Sequence, residues 1–532
     1  MNQLYYGDNL AVMRNCIGDE SVDLIYLDPP FNSQATYNVL FKGPTGEKSH
    51  AQIEAFEDTW KWGDEAELAF DGVISSGNTD AAEMLRAMRS FLKENDMMAY
   101  LSMMAVRLLE LHRILKPNGS LYLHCDSSAS HYLKLLMDAT FGADKYLNEI
   151  IWQRTSAHND PRRYGRVHDV ILYYTRSEPY VWNQQFDAPD DAYFSAHDFE
   201  KDDEGRLFRK RDLTAPAHGR SSGQYEWKGK APPRGRMWSY TKENMLRLEG
   251  EGRIVYTSTG MPRLKILADD LQGVPYQDVW ARSDLWLNSA AGERLGYPTQ
   301  KPLALLLRLV QSSSDLGHVV LDPFCGCGTT IHAAQKLQRE WIGIDITHLA
   351  ISLIEKRLKD AFPGIKYEVH GTPKDLDGAR DLAARDKHQF QLWAGSRVNA
   401  VPFRGGKKGA DSGIDGLIYF KPEGKTTEKA IVSVKGGDNV NVAMVRDLAH
   451  VVEREKAKIG VFITLADSTG PMRKEAVKMG FYETLYGKYP RIQILTIREL
   501  FEGKQPKIPL VDASAFKKAP KESVGDQDAL PF

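Results

Sequence analysis

Cysteine is scarce in this chain of 532 residues, which has four cysteines and no Cys-x-x-Cys pair. The sequence therefore encodes neither a disulfide framework nor a thiolate zinc site, and a reducing cytoplasmic location is expected. Long apolar runs are also lacking, because the most apolar stretch, around Met97 to Leu109, is broken by Arg107. The first residues lack the basic and apolar regions of a signal peptide. We therefore expect neither secretion nor a membrane partner.

Net charge is nearly absent, since 69 basic and 71 acidic side chains give a formal charge of -2. Taken whole, that value gives no hint of a nucleic-acid partner. The balance is uneven along the chain, however, with -10 over residues 1–150 and +6 over residues 391–532. Residues 206–236 hold nine basic and two acidic side chains, with aromatics between them. This pattern favours nucleic-acid contact, and a solvated loop is the alternative.

Alternating strands and helices dominate the remaining pattern, and the length predicts about three compact units. This alternation predicts an α/β fold with a mostly parallel sheet and helices on both faces. Short apolar runs rich in β-branched and aromatic residues predict buried strands at 22–27, 120–124, 170–174, 319–321 and 341–344. Helical spacing predicts helices over 99–115, 303–310, 330–337 and 349–358.

Two interruptions divide the chain. Residues 178–290 are polar and punctuated by Gly and Pro, which predicts an insert between two parts of one α/β domain, 1–177 and 291–370. A linker is predicted over 371–390. A strand-rich unit is then expected over 391–510, followed by a flexible tail over 511–532.

A glycine-bearing turn follows the strand at 319–321. Asp322, Phe324, Gly326, Gly328 and Thr329 lie in this turn, where backbone can approach a ligand at the carboxyl end of a strand. Asp345 ends the next strand, 17 residues after Gly328, and is placed to bind ribose hydroxyls. The pairing predicts an adenosine cofactor. The alternatives are a turn without a ligand and a nicotinamide site, although Gly-x-Gly-x-x-Gly spacing is absent.

A second polar turn follows the strand at 22–27 and contains Asp28, Pro29, Pro30 and Phe31. The prolines stiffen the turn and leave carbonyl oxygens free as acceptors. Methylation of an exocyclic amine needs acceptors for both N–H groups, and Asp28 with the Pro29 carbonyl supplies them. Phe31 could stack on a flipped base. A simple Pro-rich strand exit would not explain the flanking acid and aromatic.

Together, the two turns resemble those of the beta class of DNA amino-methyltransferases, in which the base-amine motif precedes the cofactor motif. The Asp28 turn matches the catalytic motif, and the Asp322 turn matches the S-adenosylmethionine loop. Residues 297–302 match the segment that closes over the methionine end of the cofactor, and Gly7-Asp8-Asn9 is also typical of the family. The resemblance implies a Rossmann-like methyltransferase domain in which cofactor contacts include Asp8, Thr299, Gln300 and Lys301.

The resemblance also places the target-recognition region at 178–290. The expected DNA-binding residues are therefore the basic side chains Arg209, Arg211, Arg220, Lys228, Lys230, Arg234 and Arg236. Asp-Pro-Pro-Phe is similar to the adenine-N6 form, whereas the cytosine-N4 form more often begins with Ser. Adenine is favoured and cytosine stays open.

A predicted hairpin carries Asp415 on one strand and Ser433-x-Lys435 on the next. With these residues, the stretch from about 400 to 500 resembles the Mrr-like restriction-endonuclease domain of the PD-(D/E)XK group. Asp415 would be the magnesium ligand, with Lys435 near the attacking water. Ser433 stands where the group usually has Glu or Gln, so Mg²⁺ is expected only if this domain cleaves DNA.

The combined expectation is an S-adenosylmethionine-dependent DNA adenine methyltransferase acting on double-stranded DNA, with coupled restriction by the C-terminal unit. The alternatives are a solitary methyltransferase whose C-terminal unit only binds DNA, and a regulator with dead sites. The intact turn at Asp28 argues against the last. A homodimer stays open, because oligomeric state does not follow from these residues.

Overall fold

The computed structural model of this chain contains two compact units. The smaller unit is Gln184–Gln277, and the larger unit comprises the chain to Asn183 and from Asp278 onward. The structure describes residues 2–30, 36–42, 48–57, 61–156, 160–218, 222–287, 293, 297, 299–403, 413–422, 426–485 and 487–509.

A nine-stranded sheet is the centre of the larger unit. Its strands, in chain order, are β1 Gln3–Tyr6, β2 Val22–Leu27, β3 Leu115–Cys125, β4 Tyr146–Gln153, β5 His168–Thr175, β6 Val279–Trp280, β7 Val319–Asp322, β8 Glu340–Asp345 and β9 Glu368–His370. Their spatial order is β6-β4-β5-β3-β2-β7-β8-β1-β9. Strand β5 is antiparallel to both of its neighbours, and the other pairs are parallel. The predicted mostly parallel sheet is confirmed.

Helices cover both faces of this sheet, and as a result all six residues of the central strand β2 are buried. One face and its helices enclose a core that includes Ile25, Leu27, Met104 and Leu133. The helices are α1 Asn9–Cys16, α2 Asp64–Ile74, α3 Thr79–Leu92, α4 Asp96–Ile114, α5 Ser130–Phe141, α6 Leu303–Ser313, α7 Thr329–Lys336 and α8 His348–Ala361. The four predicted helices correspond to α4, α6, α7 and α8. Strands Thr36–Lys42 and Lys48–Glu57 form a separate antiparallel pair.

A five-stranded sheet forms the C-terminal part of the larger unit. Its strands run in spatial order as β10 Val401–Pro402, β11 Gly416–Phe420, β12 Glu428–Lys435, β13 Ile459–Thr464 and β14 Ile492–Thr496. Its helices are α9 Leu376–Arg385, α10 Lys387–Ser396, α11 Val442–Arg454, α12 Gly470–Lys478 and α13 Ile497–Phe501. Alternate residues of β12 enter different cores: Val432 packs with α9 and α10, and Ile431 packs with α11 and α12.

The predicted linker over 371–390 is wrong in its extent. Residues 376–385 form helix α9, and Ala379, Leu382 and Ala383 on this helix are buried in the C-terminal core. The charged residues of this segment lie on the opposite, exposed side of an amphipathic helix. The C-terminal part therefore begins near residue 376 and not at 391. The predicted tail over 511–532 lies outside the described residues.

The smaller unit has its own core, which includes Leu213, Trp227, Trp238 and Met245. It is shorter than the predicted insert, since β6 at Val279–Trp280 belongs to the nine-stranded sheet. Its antiparallel strand groups are Glu200–Lys201, Leu207–Asp212, Ile254–Tyr256 and Pro262–Leu267; Thr214–Pro216 and Arg236–Trp238; and Phe186–Asp187 and Val274–Pro275. Its helices are Asp191–Ala196 and Lys242–Gly250. No helix within the described ranges is long and apolar enough to cross a membrane.

Candidate active site

The carboxyl ends of four parallel strands, β1, β2, β7 and β8, meet at one edge of the nine-stranded sheet. A cavity of about 730 Å³ opens there. Its lining includes Asp8, Asp28, Pro29, Pro30, Thr299, Gln300, Lys301, Asp322, Phe324, Gly326, Thr329 and Asp345. The topology thus brings together predicted site residues that are more than 300 positions apart in the chain. Phe31 lies outside the described residues.

Asp345 holds the glycine-bearing turn from the neighbouring strand. One carboxylate oxygen accepts a hydrogen bond from the Gly326 N–H at 2.9 Å, and the other accepts from the Thr347 N–H and hydroxyl, both at 2.8 Å. Burial raises the pKa of Asp345 to about 6. Because each carboxylate oxygen can accept two hydrogen bonds, the group retains acceptor capacity toward the cavity. That capacity fits a ribose diol.

Gly326 and Gly328 both have positive φ, at +49° and +76°. A Cβ on Gly328 would lie 2.7 Å from Ile354 Cγ1. Both the lack of space and the positive φ therefore disfavour any residue larger than glycine at this position. Gly328 precedes the first turn of α7, and it does not itself line the cavity. Its contribution is to shape the turn.

Asp322 ends β7 and is almost fully buried, with 3% exposure. Its carboxylate accepts a hydrogen bond from the Phe324 N–H at 3.0 Å. Burial raises the pKa of Asp322 to about 7, and the nearby charges of Asp28 and Asp345 act in the same direction. Asp28, Asp322 and Asp345 therefore place three acidic groups in the lining of the cavity.

The loop after β1 is fixed by Arg107, a residue that the sequence analysis treated only as a break in an apolar stretch. Arg107 pairs with Asp8 at 2.7 Å and donates to Asn9 Oδ1 at 2.6 Å. Asp8 also accepts from the Ala11 N–H at 3.0 Å, which caps α1. The sequence signal for this role of Arg107 was a single arginine among apolar residues at helical spacing.

Asp28 forms an ion pair with Lys301, whose Nζ lies 2.5 Å from Asp28 Oδ2. Both side chains are largely buried, with exposures of 14% and 10%. The other oxygen, Asp28 Oδ1, is buried and has no hydrogen-bond partner among the described residues. A buried acceptor without a donor is costly unless a ligand satisfies it. The site therefore presents a free acceptor where an amine donor would fit.

A second network, missed by the sequence analysis, lies on the same face of the sheet as Asp28. The Tyr26 hydroxyl lies 2.9 Å from His124 Nδ1, and His124 Nε2 lies 3.3 Å from Asp169 Oδ2. Burial alone would raise the pKa of Asp169, but its hydrogen bond to His124 and the nearby charges of Lys301 and Arg154 hold it below its ordinary value. Asp169 directly precedes the predicted strand 170–174, and this position gave no signal of a site.

In the C-terminal sheet, Asp415 lies next to β12, with Oδ2 accepting from the Val434 N–H at 2.6 Å. By alternation, Ser433 and Lys435 share a face of β12, and Ser433 is buried. No group of three or more His, Cys, Asp and Glu residues that could hold a metal ion exists within the described residues.

The predicted DNA-binding side chains of the smaller unit differ in their surroundings. Lys228 pairs with Glu249, and Arg236 pairs with Asp212 at 3.4 Å. The Arg209 guanidinium lies 5.7 Å from the centre of the Phe199 ring. No acidic partner within the described residues is found for the remaining basic side chains, Arg211, Lys230 and Arg234. Arg220 lies outside the described residues.

Comparison with known proteins gives two family matches. The family model of N6/N4 DNA methylases matches residues 22–356, and the model of the Mrr restriction endonuclease catalytic domain matches residues 382–483. The second match begins inside α9, in agreement with the corrected boundary.

Curated relatives include the type II methyltransferase M.EcaI of Enterobacter cloacae, which is 31% identical over 67% of this chain and 69% of its own length. The Mod subunit of the type III restriction-modification enzyme StyLTI of Salmonella typhimurium is 26% identical over 64% of this chain and 50% of its own length. A solved structure of a Thermus thermophilus protein complexed with S-adenosyl-L-methionine matches 69% of this chain and 98% of that chain, with 16% identity and a TM-score of 0.34.

Proposed function

This chain belongs to the N6/N4 family of DNA methylases and carries a restriction endonuclease domain of the Mrr type, and from this we propose that it methylates the N6 amine of adenine in duplex DNA. S-adenosylmethionine is the methyl donor. The observation that carries the proposal is the buried Asp28 Oδ1 acceptor, which has no donor among the described residues and borders the cavity shared with Asp345.

The residues at the cavity fit S-adenosylmethionine. Asp345 would accept from the ribose hydroxyls, the turn around Gly326 would let backbone approach the cofactor, and Thr299 and Gln300 would lie along its methionine end. Asp8, with its carboxylate held by Arg107 and by the cap of α1, would border the same end. When bound, the cofactor supplies an electrophilic methyl group.

Asp28 orients the nucleophile in this proposal. Its free oxygen accepts one N–H of the exocyclic amine, and the Pro29 carbonyl accepts the other, which draws the nitrogen toward tetrahedral geometry. Phe31 stacks on the flipped base. Asp28 and the Pro29 carbonyl would hold the amine nitrogen in line with the methyl group that the cofactor supplies, and this orientation together with exclusion of water would supply most of the acceleration. The proton then leaves to water, and no cysteine takes part.

DNA is held by local basic surface, since the part of the chain that contains Asp28 is acidic. Arg211, Lys230 and Arg234 are the first candidates, because their charge is not neutralised by an acidic partner in the described structure. Lys228 and Arg236 contribute less, because each is paired with an acidic side chain. Arg209, which lies near the Phe199 ring, and Arg220 complete the set.

For the C-terminal domain, two functions are compared. Asp415, directly before β11, and Lys435, at the end of the adjacent β12, favour DNA cleavage. The buried Ser433 and the absence of a three-ligand metal group in the described residues favour DNA binding alone. A digest of unmethylated duplex DNA with and without Mg²⁺ separates them. Cutting that is lost in Lys435→Ala supports cleavage, and shifted DNA without cutting supports binding.

The methyltransferase proposal is tested with the full chain, duplex DNA and methyl-labelled S-adenosylmethionine. Mass spectrometry of the digested DNA should show N6-methyladenine, and Asp28→Ala should lose it. Asp144→Ala, which removes an exposed carboxylate, is the matched control. N4-methylcytosine would overturn the adenine assignment, and transfer that persists in Asp28→Ala would overturn the role of Asp28.

A further inference from the structure

The ion pair between Lys301 and Asp28 assigns Lys301 a role different from the expected cofactor contact. Its Nζ lies 2.5 Å from Asp28 Oδ2, and the same Nζ lies 3.4 Å from the Thr299 carbonyl oxygen. The ammonium is therefore directed at the catalytic turn. The two residues are 273 positions apart, so the contact ties two segments that the fold brings together.

We propose that Lys301 is the positioning residue of Asp28, and that it acts on the methyl transfer through this carboxylate. The ion pair satisfies Oδ2 and leaves Oδ1 buried, without a donor in the described structure. A carboxylate with both oxygens free could rotate about its terminal torsion, which is broad in Asp. Lys301 thus selects which oxygen meets the amine. The inference rests on the proposed function of Asp28.

Charge supports the same role. Asp28, Asp322 and Asp345 line one cavity, and the charge of Lys301 acts on Asp169 as well as on Asp28. Asp28 and Lys301 are both largely buried, so loss of the ammonium would leave the carboxylate without this partner in a site of low exposure. The Lys301 ammonium is the partner in question, since it lies within hydrogen-bond distance of Asp28 Oδ2.

Lys301 also connects cofactor binding to base binding. It follows Thr299 and Gln300 directly and precedes α6, whose first N–H, at Leu303, donates to Glu293 Oε2 at 3.1 Å. Gln300 donates to the Glu293 carbonyl at 2.8 Å. Hydrogen bonds to Glu293 therefore hold this segment at the start of α6, and the ion pair of Lys301 holds it at the turn that contains Asp28. This placement explains how the Lys301 ammonium reaches the Asp28 turn from a segment that is expected to close over the cofactor.

The test compares Lys301→Met, Lys301→Gln and Lys301→Arg with the wild-type full chain. In Lys301→Met we expect kcat for DNA methylation to fall roughly 10- to 100-fold, as for a misplaced catalytic group, with the Kd of S-adenosylmethionine changed by less than about 3-fold. Lys301→Arg should recover part of kcat, because it restores the cation. Lys145→Met, which removes the cation of an exposed ion pair with Asp144, is the control and should leave both quantities unchanged.

A double-mutant comparison checks that Lys301 acts through Asp28. In an Asp28→Ser background the carboxylate is gone, so adding Lys301→Met should change the residual kcat by less than about 3-fold. Thermal unfolding midpoints of all variants are compared first, and Lys301→Gln replaces Lys301→Met if the latter does not fold.

The inference is overturned if Lys301→Met keeps the wild-type kcat, or if it raises the Kd of S-adenosylmethionine about 10-fold or more, whatever kcat does. The second result would return Lys301 to the cofactor set. Failure of the proposed function is distinguishable, because the wild-type chain itself would then transfer no methyl group to DNA.

Discussion

The side-chain amide of Asn9 donates a hydrogen bond of 2.8 Å to the main-chain carbonyl oxygen of Pro323, although 314 residues separate the two in the chain. Arg107 Nε donates in turn to Asn9 Oδ1 and fixes the orientation of the amide. Helix α4, which contains Arg107, therefore supports the glycine-bearing turn at Pro323 through one intervening residue, Asn9. The turn is held by side chains from outside as well as by its own glycines.

Replacing Arg107 with Met should release Asp8 and Asn9 together. We expect the Kd of S-adenosylmethionine to rise about 10-fold and the free energy of unfolding to fall by about 1–3 kcal/mol, because hydrogen bonds to charged partners are lost at a buried site. Calorimetric titration and denaturant unfolding measure the two effects. Arg380→Met, which breaks an exposed pair with Asp377, should leave both unchanged. An unaltered cofactor affinity in Arg107→Met would contradict the supporting role.

Gly328→Ala should destabilise the protein by about 2–4 kcal/mol, since the new Cβ meets both an unfavourable φ and the side chain of Ile354 at 2.7 Å. Gly364→Ala separates the two causes, because Gly364 also has positive φ, at +86°, but faces open space. Its expected loss is about 1 kcal/mol. Denaturant unfolding of both variants provides the comparison, and equal losses would show that the contact with Ile354 is unimportant.

Asp322 should make stability fall as pH rises. Its pKa is about 7 in the folded chain, above the value near 4 of an unfolded aspartate, so its contribution is complete below about pH 4 and is lost as pH rises through 7. Asp322→Asn should remove a difference of about 1–4 kcal/mol between pH 5 and pH 8 in the free energy of unfolding. The exposed Asp203→Asn should retain it. A wild-type profile unchanged by Asp322→Asn would refute this assignment.

Leu382→Ala tests the corrected boundary of the C-terminal part. Leu382 is 2% exposed in the core shared by α9 and α10, so its truncation should cost about 2–5 kcal/mol. The neighbouring Asp381→Ala, on the exposed side of the same helix, should cost less than about 1 kcal/mol. Unfolding followed by circular dichroism reads both. If the segment were a linker, the two variants would behave alike.

The strands and helices of the main sheet could be predicted because their apolar residues recur at regular intervals. The Asp28 and Asp345 turns could also be predicted, since polar residues directly follow buried strands at the edge where parallel sheets bind ligands. Helix α9 was missed because its charged residues dominate a short segment. Only the packing of Ala379, Leu382 and Ala383 against another part of the chain reveals its buried side.

Arg107, His124 and Asp169 could not be predicted as site residues, for a different reason. Each is a single polar side chain within or beside an apolar run, and its partners come from other elements: Asp8 for Arg107, and Tyr26 for His124. Spacing along one element contains no information about such partners. The ion pair of Lys301 with Asp28 belongs to the same class, since the residue was predicted in the site but its contact was not.

The position of β1 sets the order in which this protein can mature. Gln3 of β1 pairs with Ile342 on one side and with Glu368 on the other, so this early strand is inserted between two strands that the ribosome makes last in this domain. Until β8 and β9 have been made, β1 has neither of its neighbouring strands. Asp345 at the end of β8 is also not yet present to accept the hydrogen bond from the Gly326 N–H. A nascent chain therefore already contains Asp28 and the complete smaller unit before Asp345, which completes the lining of the cavity, has been made.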